Sequence, residues 1–355
     1  MDLTHQFDGR LEHEFGEHYK LSVNESFVVA QEPTVIDPAI VTTPLRISGN
    51  NVRNAGQVDF TGMLAKDFDL HLGYGNTVYA YQQTARSVIG YGEDGNGTGY
   101  VPFGLYLPQP SRSDLLDRME QLATLDLRWN VAPGTTVLLG YQFGHTDYTA
   151  PEYIIFPTGP PAGYNGPASS AGYLSNIRDS DSHYAFAGVE ESFTPDLKAS
   201  LQAGGEYLDY YNFHANRLSP YIDAKISYQY LPGDMAQLGV KHVHNSTDVV
   251  GGFGTTPVLD EETTAVYLSE RHKFSSKFSA TLKGHAQDST YMGGGPGYDG
   301  KGEDLFVVQL NFAYHFNAWL LAETGYNYSR LTSNLPLREY TRNFGYLGLR
   351  TTWGP

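Results

Sequence analysis

The feature that most constrains this chain is a series of strand-like segments joined alternately by very short and by long connections. In each segment every second residue is apolar or small, as residues 197–207 (LKASLQAGGEY) show. Leu201 shares a face with the other apolar residues of this stretch, whereas Lys198 and Glu206 lie on the opposite face. Such alternation is typical of a β-strand with one apolar and one polar face. About fifteen segments of this kind predict an all-β fold.

The connections divide into two classes that follow each other along the chain. The tight turns lie near 16–18, 65–67, 132–134, 194–196, 232–234, 275–276 and 317–318. The long connections, rich in Gly, Pro, Asn and Asp, cover 32–51, 84–113, 149–180, 249–260 and 293–302. The strands are therefore joined by tight turns at one end of the array and by long loops at the other end. Outer-membrane β-barrels are built in this way, with short periplasmic turns and long extracellular loops.

We therefore predict a single transmembrane antiparallel β-barrel domain over residues 1–355. Bacterial single-chain barrels have an even number of strands, which favours about 16 in the complete protein, with about 14 as the fallback. About 15 are visible in this chain, so one further N-terminal strand is expected. A soluble sandwich with stacked apolar faces is the structural alternative that the pattern leaves open.

Composition agrees with a wide β-structure and excludes several classes of protein. Hydrophobic residues make up 40% of the chain and aromatic residues 14%, with 27 Tyr and 39 Gly. The absence of cysteine excludes disulfides and thiolate metal sites. A formal net charge of −16 argues against nucleic acid as a partner. The sequence contains no apolar run long enough for a membrane helix. We also expect no signal peptide in it.

In a barrel the apolar face of each strand meets lipid and the polar face lines the lumen. Dense charge on the polar face cannot belong to a dry core, because unpaired buried charge is heavily penalised. The residues predicted to line a pore are Arg10, Glu12, Lys20, Asp59, Asp69, His71, Asp126, Arg128, Lys198, Glu206, Asp223, Lys225, Lys241, Lys283, Glu323 and Arg350.

Aromatic residues gather beside the tight turns. All three tryptophans lie near the end of the array that carries these turns. Trp and Tyr favour the headgroup level of a membrane, where their amphipathic rings bridge lipid and water. The predicted periplasmic belt contains Trp129, Trp319, Trp353, Phe193, Tyr230 and Phe278.

Catalytic and metal sites receive little support. No Gly-x-Ser-x-Gly elbow occurs, and nothing places a nucleophile beside a base, so we expect no enzyme and no cofactor. His242 and His244 have a spacing that could hold a metal, but we favour the interpretation that they are two rim-facing histidines. Asp94, Asp299 and Asp304 are weak calcium candidates in ordinary turn sequences, and we predict no metal site.

The C-terminal sequence carries a family resemblance. Residues 314–333 read YHFNAWLLAETGYNYSRLTS, and residues 339–353 read EYTRNFGYLGLRTTW. They resemble the last strands of bacterial outer-membrane barrels, in particular the family of "putative β-barrel porins". The resemblance implies that the barrel assembly machinery recognises the last strand, with Leu347, Leu349 and Trp353 facing outward. The terminal Gly354-Pro355 departs from the family pattern, in which an aromatic residue ends the chain.

These observations favour an outer-membrane porin that passes small hydrophilic solutes passively. Acidic residues in the long connections predict a mild cation preference; they are Glu93, Asp94, Asp179, Asp181, Asp260, Glu261, Glu262, Asp299, Glu303, Asp304 and Glu339. The alternative is a plugged structural or docking barrel that binds envelope partners without transport. The expected partners are outer-membrane lipid, lipopolysaccharide and the assembly machinery, and association of protomers is left open.

Overall fold

The computed structural model describes residues 4–30, 50–82, 115–150, 152–155, 172–251, 256–336 and 338–351. Its strands are β1 (His5–Phe15), β2 (Tyr19–Ala30), β3 (Asn51–Ala65), β4 (Phe68–Tyr81), β5 (Arg118–Ala132), β6 (Thr135–Tyr148), β7 (Tyr153–Ile155), β8 (Tyr173–Leu174), β9 (Ser180–Ser192), β10 (Leu197–Tyr210), β11 (Ala215–Leu231), β12 (Asp234–Asn245), β13 (Val258–Lys273), β14 (Phe278–Gly293), β15 (Gly302–His315), β16 (Leu320–Ser333) and β17 (Tyr340–Thr351). A short 3₁₀ helix, Ser175–Arg178, precedes β9.

One continuous sheet contains 15 of these strands, each paired with its neighbours in chain order. The strands β7 and β8 pair only with each other, within the connection between β6 and β9. All the pairings are antiparallel, from β1 with β2 to β16 with β17. The predicted all-β antiparallel fold and its visible strand segments are confirmed.

All the predicted tight turns join neighbouring strands at one end of the sheet, which we call the short-turn end. Gly134 and Gly233 occupy two of these turns with φ values of 94° and 86°. Only glycine adopts such positive φ values without steric cost, which explains the Pro-Gly sequences found there.

The opposite end, which we call the long-loop end, departs from the predicted alternation at one place. Residues 211–214 alone connect β10 to β11, because the two strands pair as far as Tyr210 and Ala215. His214, with a φ of 52°, completes this tight connection. The sequence prediction of a long connection at every second position was wrong here, since strand pairing continues to the turn itself.

The two edges of the sheet lack a strand partner within the described residues. Successive antiparallel pairings reverse the direction at each step, so β1 and β17 run in the same direction. A wholly antiparallel closure of these edges therefore takes an odd number of additional strands between them. The sixteenth strand expected from the sequence stays a prediction.

The apolar face of the sheet is exposed rather than packed against a second layer. Leu139, Leu201 and Leu347 expose 64%, 48% and 84% of their surface. A sandwich would bury such residues between its sheets. Apolar residues exposed over a whole sheet face indicate a surface that meets a nonaqueous environment.

Buried apolar clusters lie at the long-loop end, where several connections pack together. One cluster contains Tyr81, Leu115, Leu116, Ile154 and Ile177, and a second contains Val249, Val258, Tyr291 and Leu335. These residues come from the ends of strands and from the connections that follow them. The described part of the chain contains no helix that is long and apolar enough to cross a membrane.

Candidate pore lining

Strand register places every residue that the sequence predicted to line a pore on the same face of the sheet. For example, Asp69 lies opposite Arg128, and His71 lies opposite Asp126. Opposed residues share a face, and the side-chain period of two extends this face along each strand. We call it the polar face. Nearly equal numbers of acidic and basic side chains lie on this face. That the polar face lines a water-filled pore remains a prediction.

Ion pairs lie on the polar face, both within one strand and between strands. Arg10 Nη2 lies 2.6 Å from Glu12 Oε1, and Lys20 Nζ lies 3.0 Å from the same oxygen. Arg128 pairs with Glu190 across β6, which separates β5 from β9. These surface-like pairs contribute little stability each, but they hold long side chains against the wall.

His71 lies between two carboxylates on this face. Its Nδ1 is 3.0 Å from Asp126 Oδ2, and its Nε2 is 3.2 Å from Asp59 Oδ1. An imidazolium donates from both nitrogens, so the arrangement suits a protonated ring that neutralises part of the acidic charge. Among the described residues, no group of three or more His, Cys, Asp or Glu side chains is arranged so that it could hold a metal ion.

Exposure of the polar face changes with depth. Near the short-turn end, Lys198, Lys225 and Arg271 are exposed. Near the long-loop end, inward residues are buried, including Glu206 at 1% exposure and Tyr291 at 0%. Glu206 therefore lies on the predicted face but is covered, and its carboxylate accepts the backbone N–H of His244 on β12.

Aromatic rings fill part of this wall where neighbouring strands carry glycine. Phe186 packs in a cluster with Leu138, Tyr221 and Val243. A Cβ at Gly204 would lie 2.7 Å from the Phe186 Cβ, so glycine is required for the close approach. The cluster makes the wall of β6 to β12 locally apolar, which the alternating sequence pattern did not predict.

The ladder between β11 and β12 stops before the strands end. Its last pair at the long-loop end is Ile222 with His242. Pro220 follows on this side and has no backbone N–H to donate, which is why proline is found at strand edges. The Glu206 carboxylate fills the opening and accepts the His244 N–H at 3.1 Å. We call this opening the β11–β12 seam.

Charged side chains surround the seam in a buried environment. Asp260 accepts a hydrogen bond from the Tyr210 hydroxyl and lies 3.3 Å from His244 Nδ1. Arg217 Nε is 3.8 Å from the same carboxylate. Within this group of side chains, Glu206 satisfies one backbone donor, the His244 N–H, that the interrupted ladder leaves without a backbone partner.

Two arginines fasten the long connections to the sheet. Arg178 donates to the backbone carbonyls of Val258, Thr247 and Val249, and it is 1% exposed. Burial lowers the pKa of Arg178. Its hydrogen bonds join the β6–β9 connection to the β12–β13 connection.

The second arginine is Arg338, between β16 and β17. It pairs with Asp248 at 2.8 Å and with Glu303. Burial opposes its charge, but the nearby carboxylates outweigh this effect and raise the pKa of Arg338. These arginines were missed by the sequence reasoning, because they lie in irregular connections where no periodic pattern assigns a direction.

Asp179 shows the effect of this packing on a carboxyl group. It accepts the Tyr148 N–H at 2.8 Å and the Asn212 side-chain amide at 3.0 Å. Burial raises the pKa of Asp179 to about 6, against the opposing effect of the Tyr148 hydrogen bond. The residue was expected to contribute acidic charge to an open mouth, but it is buried.

The metal candidates have ordinary structural partners. His242 contacts Glu262 at 3.0 Å, whereas His244 faces Asp260, so the two rings do not share a site. Asp299 accepts the Gly293 N–H at 2.8 Å as part of a turn. Asp304 lies opposite Asp288 in the ladder. Asp94 lies outside the described residues.

Aromatic residues form a chain of ring contacts near the short-turn end. Tyr230 stacks on His272, which meets Phe274, and the contacts continue through Phe278 to Phe312. Phe68 stacks separately on Trp129. The predicted members Phe193 and Trp319 lie exposed in the turns themselves, and Trp353 lies outside the described residues. The arrangement has the position expected of a belt, and its membrane role stays a prediction.

Solved structures that resemble this chain include a larger uptake receptor and larger transporters. The ferric yersiniabactin uptake receptor FyuA from Yersinia pestis is 9% identical with a TM-score of 0.42; 93% of this chain and 52% of the receptor are covered. The FrpB iron transporter from Neisseria meningitidis is 10% identical with a TM-score of 0.43; the coverage is 94% and 52%.

The copper transporter OprC is also 10% identical with a TM-score of 0.43, and the match covers 99% of this chain and 58% of the transporter. The chain thus spans little more than half the length of these proteins, and at such scores the likeness carries no functional argument. No curated protein matches the chain.

The family model "Putative beta-barrel porin 2" matches residues 163–352, which is more than half of the chain. The match includes the strands β9 to β17, with their charged face and exposed apolar face. The chain belongs to this β-barrel porin family.

Proposed function

We propose that this protein is a bacterial outer-membrane porin that lets small hydrophilic solutes diffuse passively through its lumen. The observation that carries the proposal is the division of one continuous sheet into an exposed apolar face and a charged, hydrogen-bonded face. Lipid on the first face and water on the second satisfy both without a second protein layer. Membership of the porin family supports the same reading.

Single-channel recording in planar lipid bilayers tests the proposal. The purified, detergent-folded protein should give stepwise conductance of constant size, proportional to salt concentration. Its folded state is verified beforehand by heat-modifiable migration on a gel. Repeated insertion without any conductance steps would contradict passive diffusion.

Selectivity of the mouth is a separate part of the proposal. The sequence predicts a mild cation preference from acids in the long connections. Several of the described ones are withdrawn from water, since Asp260, Glu261 and Glu303 are each no more than 2% exposed. The prediction therefore depends on the remaining acids, of which Asp299, Asp304 and Glu339 are exposed. Glu93 and Asp94 lie outside the described residues. Reversal potentials in a salt gradient measure it.

The second candidate function is a plugged structural or docking barrel. It is favoured by the packing at the long-loop end, where inward side chains are buried and Arg178 ties two connections together. If this packing closes the lumen, the wild type should be electrically silent. Replacing Arg178 by alanine should then produce conductance, whereas in an open porin it should change only the noise or size of existing steps.

The remaining parts of the proposal concern the environment of the protein. We place it in the outer membrane, in contact with lipid and lipopolysaccharide, after insertion by the barrel assembly machinery. A catalytic activity is not part of the proposal, and neither is a cofactor. Cell fractionation with a truncation of β17 tests location and assembly together, since loss of the last strand should prevent accumulation in the outer membrane.

A further inference from the structure

Basic residues gather on one part of the polar face near the short-turn end. Lys198, Lys225, Arg271 and Lys283 lie on β10, β11, β13 and β14, and all of them face the same side of the sheet. We call this group the basic strip. Lys198 lies opposite Ser227, which places Lys225 on the diagonal, about 7–8 Å away. Arg271 and Lys283 have the same diagonal relation through Thr281.

Three residues of the strip offer accessible positive charge. Lys198, Lys225 and Arg271 are exposed. Within the described residues these three form no ion pair. Asp223, an inward acid of the same region, lies opposite Lys241 in the ladder. Like charges at neighbouring positions destabilise a sheet, so a charged ligand of opposite sign would stabilise this arrangement.

The residues between the cations are uncharged hydrogen-bonding groups. Gln237 and Ser269 lie opposite each other on β12 and β13, between the two basic pairs. Ser200 lies opposite Lys225, and Ser227 lies opposite Lys198. Such groups donate to the oxygens of an anion without adding charge, and the flanking cations strengthen these contacts.

Several acids of the polar face on β1 to β5 contact basic or imidazole side chains. Glu12 pairs with Lys20 at 3.0 Å. Asp59 and Asp126 both contact His71. On β10 to β14 the basic residues of this face outnumber Asp223 near the short-turn end. Their charge acts over a Debye length of about 10 Å at 0.1 M salt.

We propose that the basic strip binds the anionic group of a passing solute, a carboxylate or a phosphate. This inference rests on the proposed porin function and gives the inner lumen a preference opposite to the one predicted for the mouth. Cations on a lumen wall lower the energy of an anion that passes it, as rings of basic residues do in anion pores. Small organic acids and phosphorylated solutes are the substrate class that this wall favours.

The test compares the wild type with the triple variant Lys198→Glu, Lys225→Glu and Arg271→Glu. The matched control carries Lys66→Glu and Lys277→Glu, which change exposed lysines in the short turns outside the strip. Each protein is first shown to fold by heat-modifiable migration. Reversal potentials in a potassium chloride gradient should shift toward potassium preference in the triple variant relative to the wild type, whereas the control should keep the wild-type value.

A reversal potential that the triple variant leaves unchanged would overturn the inference while the porin function stands. Complete silence of the wild type would instead contradict the porin function. Binding is therefore also measured without conduction, by phosphorus NMR line broadening of inorganic phosphate and by saturation-transfer proton NMR of acetate. Both signals should respond to the wild type and the control and lose the response with the triple variant; equal responses from all three proteins would again overturn the inference.

Discussion

Single buried side chains hold the long connections of this protein in place. Arg178 satisfies three backbone carbonyls that come from a connection distant in sequence. The five N–H donors of a guanidinium in a fixed plane allow one residue to do this, whereas a lysine ammonium donates from a single point. The packing at the long-loop end therefore depends on the identity of this residue and not only on its charge.

Replacing Arg178 by lysine should loosen the long-loop end. Each backbone carbonyl left without a partner in a buried place costs about 1–3 kcal/mol. We expect faster hydrogen exchange in residues 247–258, with little change in the short turns. Mass spectrometry of the protein in bilayer discs measures both regions. Equal protection in the variant and the wild type would show that the connection is held by other contacts.

Asp179 should give the long-loop end a dependence on pH. Its folded-state pKa of about 6 lies above the ordinary value of 3.8. The folded state therefore holds the proton more tightly, and this contribution is fully present below pH 3.8 and is lost as the pH rises through about 6. Asp179→Asn keeps a neutral side chain at every pH.

Thermal unfolding in detergent from pH 4.5 to pH 7.5 measures this effect. The melting temperature of Asp179→Asn should rise relative to that of the wild type as the pH increases. Asp196→Asn, in an exposed short turn, is the matched control and should keep a constant difference. A constant difference for Asp179→Asn as well would contradict the assignment.

Among the elements, β11 shows how one residue changes the sheet. Pro220 cannot donate a hydrogen bond, and the ladder to β12 extends only as far as Ile222. The sheet remains continuous because β11 pairs with the whole length of β10. Glu206 of β10 accepts the His244 N–H of β12. The Glu206 side chain thus supplies the acceptor that the His244 N–H does not find in the interrupted ladder.

The role of Glu206 predicts different effects for two substitutions. Glu206→Ala leaves the buried His244 N–H without its acceptor and should lower the free energy of unfolding by about 1–3 kcal/mol. Glu206→Gln retains a carbonyl oxygen at this place and should cost less. Urea unfolding followed by tryptophan fluorescence measures both variants. Similar losses for Ala and Gln would show that the charge, rather than the hydrogen bond, matters.

For the whole molecule, the short-turn end should lie at the headgroup level of one leaflet. Trp129 and Trp319 lie near this end, and Trp319 exposes 71% of its surface. In bilayers with brominated lipids, bromine near the headgroups should quench tryptophan fluorescence more strongly than bromine deep in the acyl chains. The variant Trp129→Phe with Trp319 retained should keep this order. Stronger quenching from the bilayer centre would contradict the proposed belt.

Much of the fold could be predicted from the sequence, because a strand with one apolar face repeats every two residues. This period assigns Asp69 and Arg128 to the same side before any partner strand is known. Tight turns such as Pro232-Gly233 then fix where each strand reverses. The shared face of the candidate pore residues follows from these local rules, although its exposure does not.

The exposure of each polar residue and the placement of the loop arginines could not be predicted in the same way. The alternation of apolar and polar residues and the turn sequences are the same whether a polar residue is exposed or covered. Lys198 and Glu206 therefore look alike in the sequence. They differ in the structure because Glu206 lies against His244 of β12, whereas Lys198 is exposed near the short-turn end. The placement of Arg178 and Arg338 depends on contacts between segments far apart in sequence, which local patterns do not contain.

The sequence by itself determined the strands, the turns and the two faces, since these depend on neighbouring residues and on a period of two. Only the tertiary structure decided which polar residues meet water, where the β11–β12 ladder ends and how the loop arginines choose their acceptors. These features arise when distant segments compete for the same space and the same hydrogen bonds. Such competition is settled by the packing of the whole molecule.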